Sequence, residues 1–194
     1  MLIPVLVLAA FALTRWPGVM PLNFSVAYGL VFCAGAFPKR LPWWAVFGTL
    51  VVTDVGLNHF YYQTAPFSDY QVVNYLAYAG IFGLGRLFAR QRTVWQHAVG
   101  GLLGAVLFYL ITNTAAWLEN PAYAKNLADW LRALTTGTSG WPETWTFFRN
   151  TLLSGGLFAG LLSAVLQSVE AQEPEPEEEP EPEVAPEGEA EEAK

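Results

Sequence analysis

The sequence predicts an all-α membrane protein, a bundle of about six transmembrane helices followed by a disordered acidic tail. Of its 194 residues, 53% are hydrophobic and only 14% are charged, whereas about a quarter of the residues of a soluble domain are charged. The charges are also divided unevenly, because residues 170–194 hold 12 of the 17 acidic residues. We therefore divide the chain into a transmembrane domain, residues 1–169, and a cytoplasmic tail, residues 170–194.

Long apolar stretches define the predicted membrane spans. A transmembrane helix needs about 20 mostly apolar residues, and only the first stretch is clearly shorter. The predicted spans are residues 2–14, 22–37, 42–58, 70–88, 94–117 and 146–168. The first has an alternative interpretation as a signal-peptide core, with Ala10-Phe11-Ala12 as its cleavage site, although no basic residue precedes it.

The basic residues orient these spans. Lys39 and Arg40 follow the second span, and Arg90 and Arg92 follow the fourth, whereas no Lys or Arg lies between spans three and four. Cytoplasmic loops carry the excess of Lys and Arg. Both chain ends are therefore predicted to be cytoplasmic, in a multi-pass protein of the cell inner (plasma) membrane.

The predicted outer loop, residues 118–145, contains a helical pattern. Asn120-Pro121 reads as a helix N-cap followed by proline at the first helical position. An apolar face with helical spacing comes after it, formed by Leu127, Trp130, Leu131 and Leu134. Such a helix either rests on the outer membrane surface or covers a binding pocket.

The tail repeats Glu and Pro and has few apolar residues to bury. Such a composition cannot offset the entropy lost on ordering, which predicts an extended, disordered segment. It is either a solvated extension or a docking segment for a basic partner.

Polar side chains inside the spans cluster near one membrane face. With the topology above, Asn23, Asp54, Asn74, Asn113 and Asn150 all lie within about two turns of the outer interface, by the ~1.5 Å rise per residue. Asp54 is the acidic residue within a span, where a charge usually faces the bundle interior or a water-filled cavity. Its expected partner is Arg15 or Arg149. The set predicts an outward polar pocket, or else a group of helix caps that wet the interface.

Known catalytic and cofactor motifs are missing from the sequence. The single cysteine, Cys33, lies in an apolar stretch, and His59 and His97 are far apart without metal-ligand spacing. No nucleotide-binding, zinc or triad motif is present. We therefore expect no enzyme activity, no cofactor or metal, and no nucleic-acid partner. The small-residue pairs Gly100/Gly104 and Gly156/Gly160 predict close packing of helices.

Several short segments resemble a family of uncharacterised bacterial membrane proteins assigned to transport, which is similar to the substrate-binding (S) components of energy-coupling-factor transporters. The resemblance covers residues 1–168 and rests on Asn23-Phe24-Ser25, Phe32-Cys33-Ala34-Gly35-Ala36, Thr53-Asp54, Thr112-Asn113 with Trp117, and Phe148-Arg149-Asn150-Thr151-Leu152. It implies an S-component-like bundle with an outward substrate pocket. It also implies a substrate-binding role for Asn23, Asp54, Asn113, Trp117 and Asn150.

The sequence thus favours a membrane transport protein that binds a small solute. Because the chain has no nucleotide motif, the resemblance implies that energy would come from a membrane coupling protein with ATPases. The alternative is a structural or assembly subunit of a larger membrane complex, with other membrane subunits as partners and no ligand.

Overall fold

The computed structural model describes residues 2–172, and within that range the fold is entirely helical. The acidic tail, apart from its first three residues, lies outside the described residues. Seven α-helices follow one another in the described range, and the third continues into a π-helical turn, Leu57–Tyr61. The α-helices are α1 Leu2–Thr14, α2 Val26–Ala36, α3 Trp43–Gly56, α4 Asp69–Leu87, α5 Val94–Glu119, α6 Leu127–Leu134 and α7 Thr144–Glu170.

Local capping fixes where several helices begin. The Ser68 and Gln71 side chains form a capping box at the start of α4, and Thr93 and Gln96 form another at the start of α5. Each box satisfies backbone N–H groups that the first helical turn leaves without partners. The predicted spans 70–88 and 94–117 match α4 and α5 to within two residues at each end.

The second predicted span is shorter than expected. The residues before α2 leave helical geometry, because Asn23 has a φ of 58° and the Ser25 hydroxyl caps the helix by accepting from the Ala27 N–H. The helix has 11 residues, all of them buried, and is about 16 Å long at ~1.5 Å per residue. It packs against α3, α4, α5 and α7, so it forms the centre of the fold.

The predicted cap of the helix in the loop is wrong. Asn120 ends α5 instead, and the loop helix α6 begins six residues later, after Asn126. The Asn126 side chain accepts a hydrogen bond of 2.8 Å from the Asp129 N–H, which is the N-cap interaction that the sequence analysis gave to Asn120. The predicted apolar face does form on α6, but Leu127 and Leu131 are exposed on it.

The interior and exterior of the long helices have an unusual composition. On α7, the side chains of Leu153, Leu157, Leu161 and Val165 point outward at every fourth position. The side chains of Ser154, Ala159 and Ser163 on the same helix are fully buried. The exposed surface of α7 is therefore more apolar than its buried face. This is the reverse of a helix in a water-soluble protein, which places its large apolar side chains inward.

Small residues let α5 and α7 approach closely. A Cβ atom on Gly101 would overlap the Gly155 carbonyl oxygen, and a Cβ atom on Gly155 would stand 2.7 Å from that of Ala105. This close backbone approach lies at Gly101 and Gly155, each of which is one residue away from a glycine of the predicted pairs, Gly100 and Gly156. Two helices in the described range, α5 and α7, are long and apolar enough to cross a membrane.

Candidate functional site

The helix ends gather at two opposite ends of the fold. At one end, which we call the Asp54 end, helices α1, α3 and α5 finish and helices α2, α4 and α7 start. The opposite end carries Lys39, Arg40, Arg86, Arg90 and Arg92 and is called the basic end.

Asp54 forms an ion pair with Arg15, one of the two partners that the sequence analysis suggested. One carboxylate oxygen accepts from the Arg15 guanidinium, and the other accepts a 2.9 Å hydrogen bond from the Tyr75 hydroxyl. Only 20% of the Arg15 side chain and 15% of the Asp54 side chain are exposed. The other suggested partner, Arg149, lies over the Trp145 ring instead. Asp54 therefore holds the end of α3 to the end of α1 and to the first half of α4.

Two polar side-chain atoms at the Asp54 end, one of them in Arg15 itself, lack partners. Within the described range, the Arg15 Nε and the Asn74 Oδ1 are buried and have no hydrogen-bond partner. One is a donor and the other an acceptor. Asn74 shares the buried face of α4 with Tyr78, one turn later, and the Tyr78 hydroxyl lies beside the Arg15 side chain. Buried polar atoms are almost always hydrogen-bonded, so each of these atoms marks a place where a bound molecule would gain a hydrogen bond.

An aromatic cluster lies next to the ion pair. The Tyr28 ring packs edge-on against Phe108 at a centroid distance of 4.9 Å, and the Tyr78 ring packs on the same Phe108 at 5.0 Å. Tyr28 also lies beside the Thr151 side chain of α7. The cluster thus connects the Asp54 ion pair with the start of α7.

Asn23 and Asn150 come together at the junction of α2 and α7. The Asn150 Nδ2 donates a 2.9 Å hydrogen bond to the Leu22 carbonyl oxygen, and the Thr151 hydroxyl is 3.5 Å from the Asn23 carbonyl oxygen. The Asn150 amide therefore fixes the chain that leads into α2. Asn23 itself is exposed and contributes its backbone there.

Asn113 and Trp117 face the loop between α5 and α7. The Asn113 Nδ2 donates to the Tyr109 carbonyl oxygen in its own helix, at 2.9 Å. The Trp117 indole donates to the Ala124 carbonyl oxygen at 3.0 Å, and the Lys125 ammonium lies over its ring. Trp117 thus anchors the start of the loop that contains α6.

The structure therefore brings all five predicted residues to the Asp54 end, but in three groups. These are Asp54 alone, Asn23 with Asn150, and Asn113 with Trp117. The tyrosines that surround Arg15 and Asp54 were missed by the sequence analysis, since a tyrosine in an apolar span has no signature that separates packing from binding. Tyr75 directly follows Asn74 in the sequence and Tyr78 lies one helical turn after it, and that spacing is the signal that could have pointed to them.

Two further features lie toward the basic end. A cavity of about 800 Å³ opens there between the ends of α2 and α7 and the turns before α3 and α5. Beside it, the Ser163 hydroxyl lies 2.7 Å from the His97 Nδ1, a pairing of hydroxyl and imidazole that the sequence analysis did not foresee. Ser163 is 0% exposed and His97 is 1% exposed, so this pair connects α5 to α7 inside the protein.

Comparison with known proteins assigns the chain to a family. The model of a family of unknown function (DUF6580) matches residues 1–177. The chain belongs to this family. No curated protein and no solved structure matches the chain, and the resemblance to S components gains no support from these comparisons. The DUF6580 match covers every described helix and all five predicted site residues, whereas residues 178–194 lie beyond it.

Proposed function

We propose that this chain is a multi-pass membrane protein in which α1, α2, α3, α4, α5 and α7 form the six spans. The exposed apolar side chains on α7 support this, because lipid would cover them. The small residues between α5 and α7 support it as well, since helices in a bilayer associate through close backbone packing. The short, fully buried α2 would be shielded from lipid by its neighbours.

The distribution of basic residues sets the orientation in this proposal. The basic end faces the cytoplasm, following the preference of Lys and Arg for cytoplasmic loops. Both chain ends then lie in the cytoplasm, and the Asp54 end opens to the outside of the inner membrane.

The function that we propose is binding of a small polar solute at the Asp54 end, as a step of membrane transport. The observation that carries the proposal is that two buried polar atoms at this end, the Arg15 Nε in the shielded ion pair and the Asn74 Oδ1 of α4, have no hydrogen-bond partner in the described range. A solute with one acceptor and one donor would satisfy both atoms. The aromatic rings of Tyr28, Tyr78 and Phe108 would supply an apolar surface beside them.

The predicted site residues have distinct roles in this proposal. Asp54 supplies charge and positions Arg15, while Asn23 and Asn150 hold the start of α2 and Asn113 and Trp117 border the outer loop. Energy for movement of the solute would come from partners, such as a membrane coupling protein with ATPases, as in the S components that the sequence resembles.

Native mass spectrometry of the purified protein tests this proposal. We expect a co-purifying small molecule on the wild-type protein. The variant Asn74→Leu should weaken its retention about fivefold, because the lost hydrogen bond is worth about 1 kcal/mol. The control is Gln63→Ala, an exposed loop amide at the same end, which should keep the ligand. Equal retention in Asn74→Leu and Gln63→Ala would contradict the site.

A second candidate function is that of a subunit in a larger membrane complex. It is favoured by Ala79 and Gly83, which lie one turn apart on the exposed face of α4, with open space around Gly83. Such a pair would let a helix of another protein pack closely. Stoichiometric co-purification of another membrane protein, without a bound small molecule, would favour this candidate over solute binding.

A further inference from the structure

The cavity at the basic end is bounded by two turns and by the last turn of α7. Lys39 and Arg40 line it from the turn before α3, and Arg92 lines it from the turn before α5. Glu170 of α7 is the acidic residue among its lining residues. The charged side chains around the cavity are therefore mainly positive.

Two of these cations are available to an anion. Lys39 and Arg92 form no ion pair and no side-chain hydrogen bond with another residue in the described range, and both are exposed. A phosphate oxygen forms strong, charge-assisted hydrogen bonds with either kind of side chain. Because Lys39 and Arg92 reach the same cavity from different turns, an anionic group bound there would be flanked by both.

The size of the cavity indicates more than a single ion. Its volume is about 800 Å³, which is within the range of ~300–1,000 Å³ that is usual for sites of drug-sized molecules. One inorganic phosphate would fill a small part of it. The Gln91 amide and the Glu170 carboxylate also line the cavity and can accept hydrogen bonds from hydroxyl groups. The lining therefore suits a phosphate that carries a hydroxyl-bearing group.

Exposed tryptophans flank the cavity. Trp43 and Trp44 begin α3, directly after the turn that carries Lys39, and Trp95 lies three residues after Arg92 in the first turn of α5. Tryptophan is enriched at the interface between membrane and water. In the topology proposed above, the cavity consequently lies at the level of the lipid headgroups on the cytoplasmic side.

We propose that this cavity binds the headgroup of an anionic phospholipid. The phosphate would interact with Lys39 and Arg92, and headgroup hydroxyls would donate to Gln91 and Glu170. Basic pockets at the cytoplasmic ends of membrane helices bind such headgroups through the same chemistry. The inference rests on the proposed membrane topology and concerns a site at the opposite end from the proposed solute.

Native mass spectrometry of the delipidated protein in a neutral detergent tests this proposal. The probes are a short-chain phosphatidylglycerol, a phosphatidylcholine of equal chain length, and inorganic phosphate. We expect the wild-type protein to bind phosphatidylglycerol at least about tenfold more tightly than phosphatidylcholine, which has no net charge. Millimolar inorganic phosphate should displace little of the bound lipid, because it fills only part of the cavity.

Two double variants with the same change of net charge separate the cavity from the surrounding surface. Lys39→Gln/Arg92→Gln removes both available cations of the cavity and should weaken phosphatidylglycerol binding about tenfold or more. Arg86→Gln/Arg90→Gln removes two exposed cations of the same end that do not line the cavity and should weaken it less than about threefold. All four side chains are exposed, so both variants should melt like the wild type.

Three outcomes would overturn the proposal. Equal weakening by the two double variants would mean that general surface charge attracts the lipid. Equal binding of phosphatidylglycerol and phosphatidylcholine would exclude recognition of an anionic headgroup. Displacement of the lipid by millimolar inorganic phosphate, with the same dependence on Lys39 and Arg92, would assign the cavity to a soluble phosphate compound.

The solute proposed for the Asp54 end provides an independent comparison. Lys39→Gln/Arg92→Gln should keep that solute, whereas Asn74→Leu should keep the phospholipid. A failure of lipid binding therefore leaves the solute site standing, and a failure of solute binding leaves the lipid site standing.

Discussion

Replacing Asp54 with alanine should destabilise the protein by about 3 kcal/mol, because Arg15 would keep a largely shielded charge without a partner. The Tyr75 hydroxyl would lose its acceptor as well. We expect the melting temperature in detergent, followed by tryptophan fluorescence, to fall by about 10 °C. The control Asp69→Ala removes an exposed carboxylate at the start of α4 and should change it by no more than a few degrees.

The double variant Arg15→Met/Asp54→Leu separates stability from binding. Apolar residues of similar size in place of a shielded ion pair often leave stability unchanged or raise it. We therefore expect the double variant to melt within a few degrees of the wild type while it fails to retain the solute. A single variant Asp54→Ala that melts like the wild type would contradict the structural role of the ion pair.

Placing aspartate at Leu157 should have an effect that depends on the surroundings of α7. Leu157 lies near the middle of the helix and is 48% exposed. In water, an exposed Leu→Asp change usually alters stability by no more than about 0.5 kcal/mol. In a bilayer, a carboxylate near the middle of a span costs about 3 kcal/mol by insertion scales. We expect a clear loss of membrane-inserted protein, measured as the fraction that resists carbonate extraction.

Leu127→Asp is the matched control for this prediction. Leu127 is a more exposed leucine, at 69%, on α6, which lies outside the proposed spans. Its variant should insert like the wild type. Equal and full insertion of Leu157→Asp and Leu127→Asp would contradict a lipid-facing surface on α7.

The sequence allowed the positions of the long helices to be predicted well, and the reasons are physical. Apolar runs of about 20 residues are a local signal that can be read directly from the sequence. The start of α2 was predicted less well, because the left-handed conformation of Asn23 depends on contacts that α7 makes. The predicted N-cap at Asn120 was wrong because α5 extends further than its apolar run, so that Asn120 becomes the C-cap of α5.

One contact of the candidate site, the Arg15–Asp54 ion pair, was among the contacts that the sequence suggested. The rule that a charge in an apolar segment needs a partner predicted an arginine partner for Asp54, but it left Arg15 and Arg149 as alternatives. The split of the other four residues into two groups did not follow, because depth in a helix says nothing about which face a side chain occupies. Asn113 lies at the expected depth, yet its amide donates within its own helix.

Labelling of introduced cysteines tests the central claim that the Asp54 end and the basic end lie on opposite faces of the membrane. The wild-type chain has one cysteine, Cys33, which is fully buried and serves as the unreactive background. A membrane-impermeant maleimide is added to intact spheroplasts that carry Lys125→Cys or Lys39→Cys. We predict that Lys125→Cys reacts at once and that Lys39→Cys reacts only after the membrane is permeabilised. Reaction of both from the same side of an intact membrane would contradict the claim.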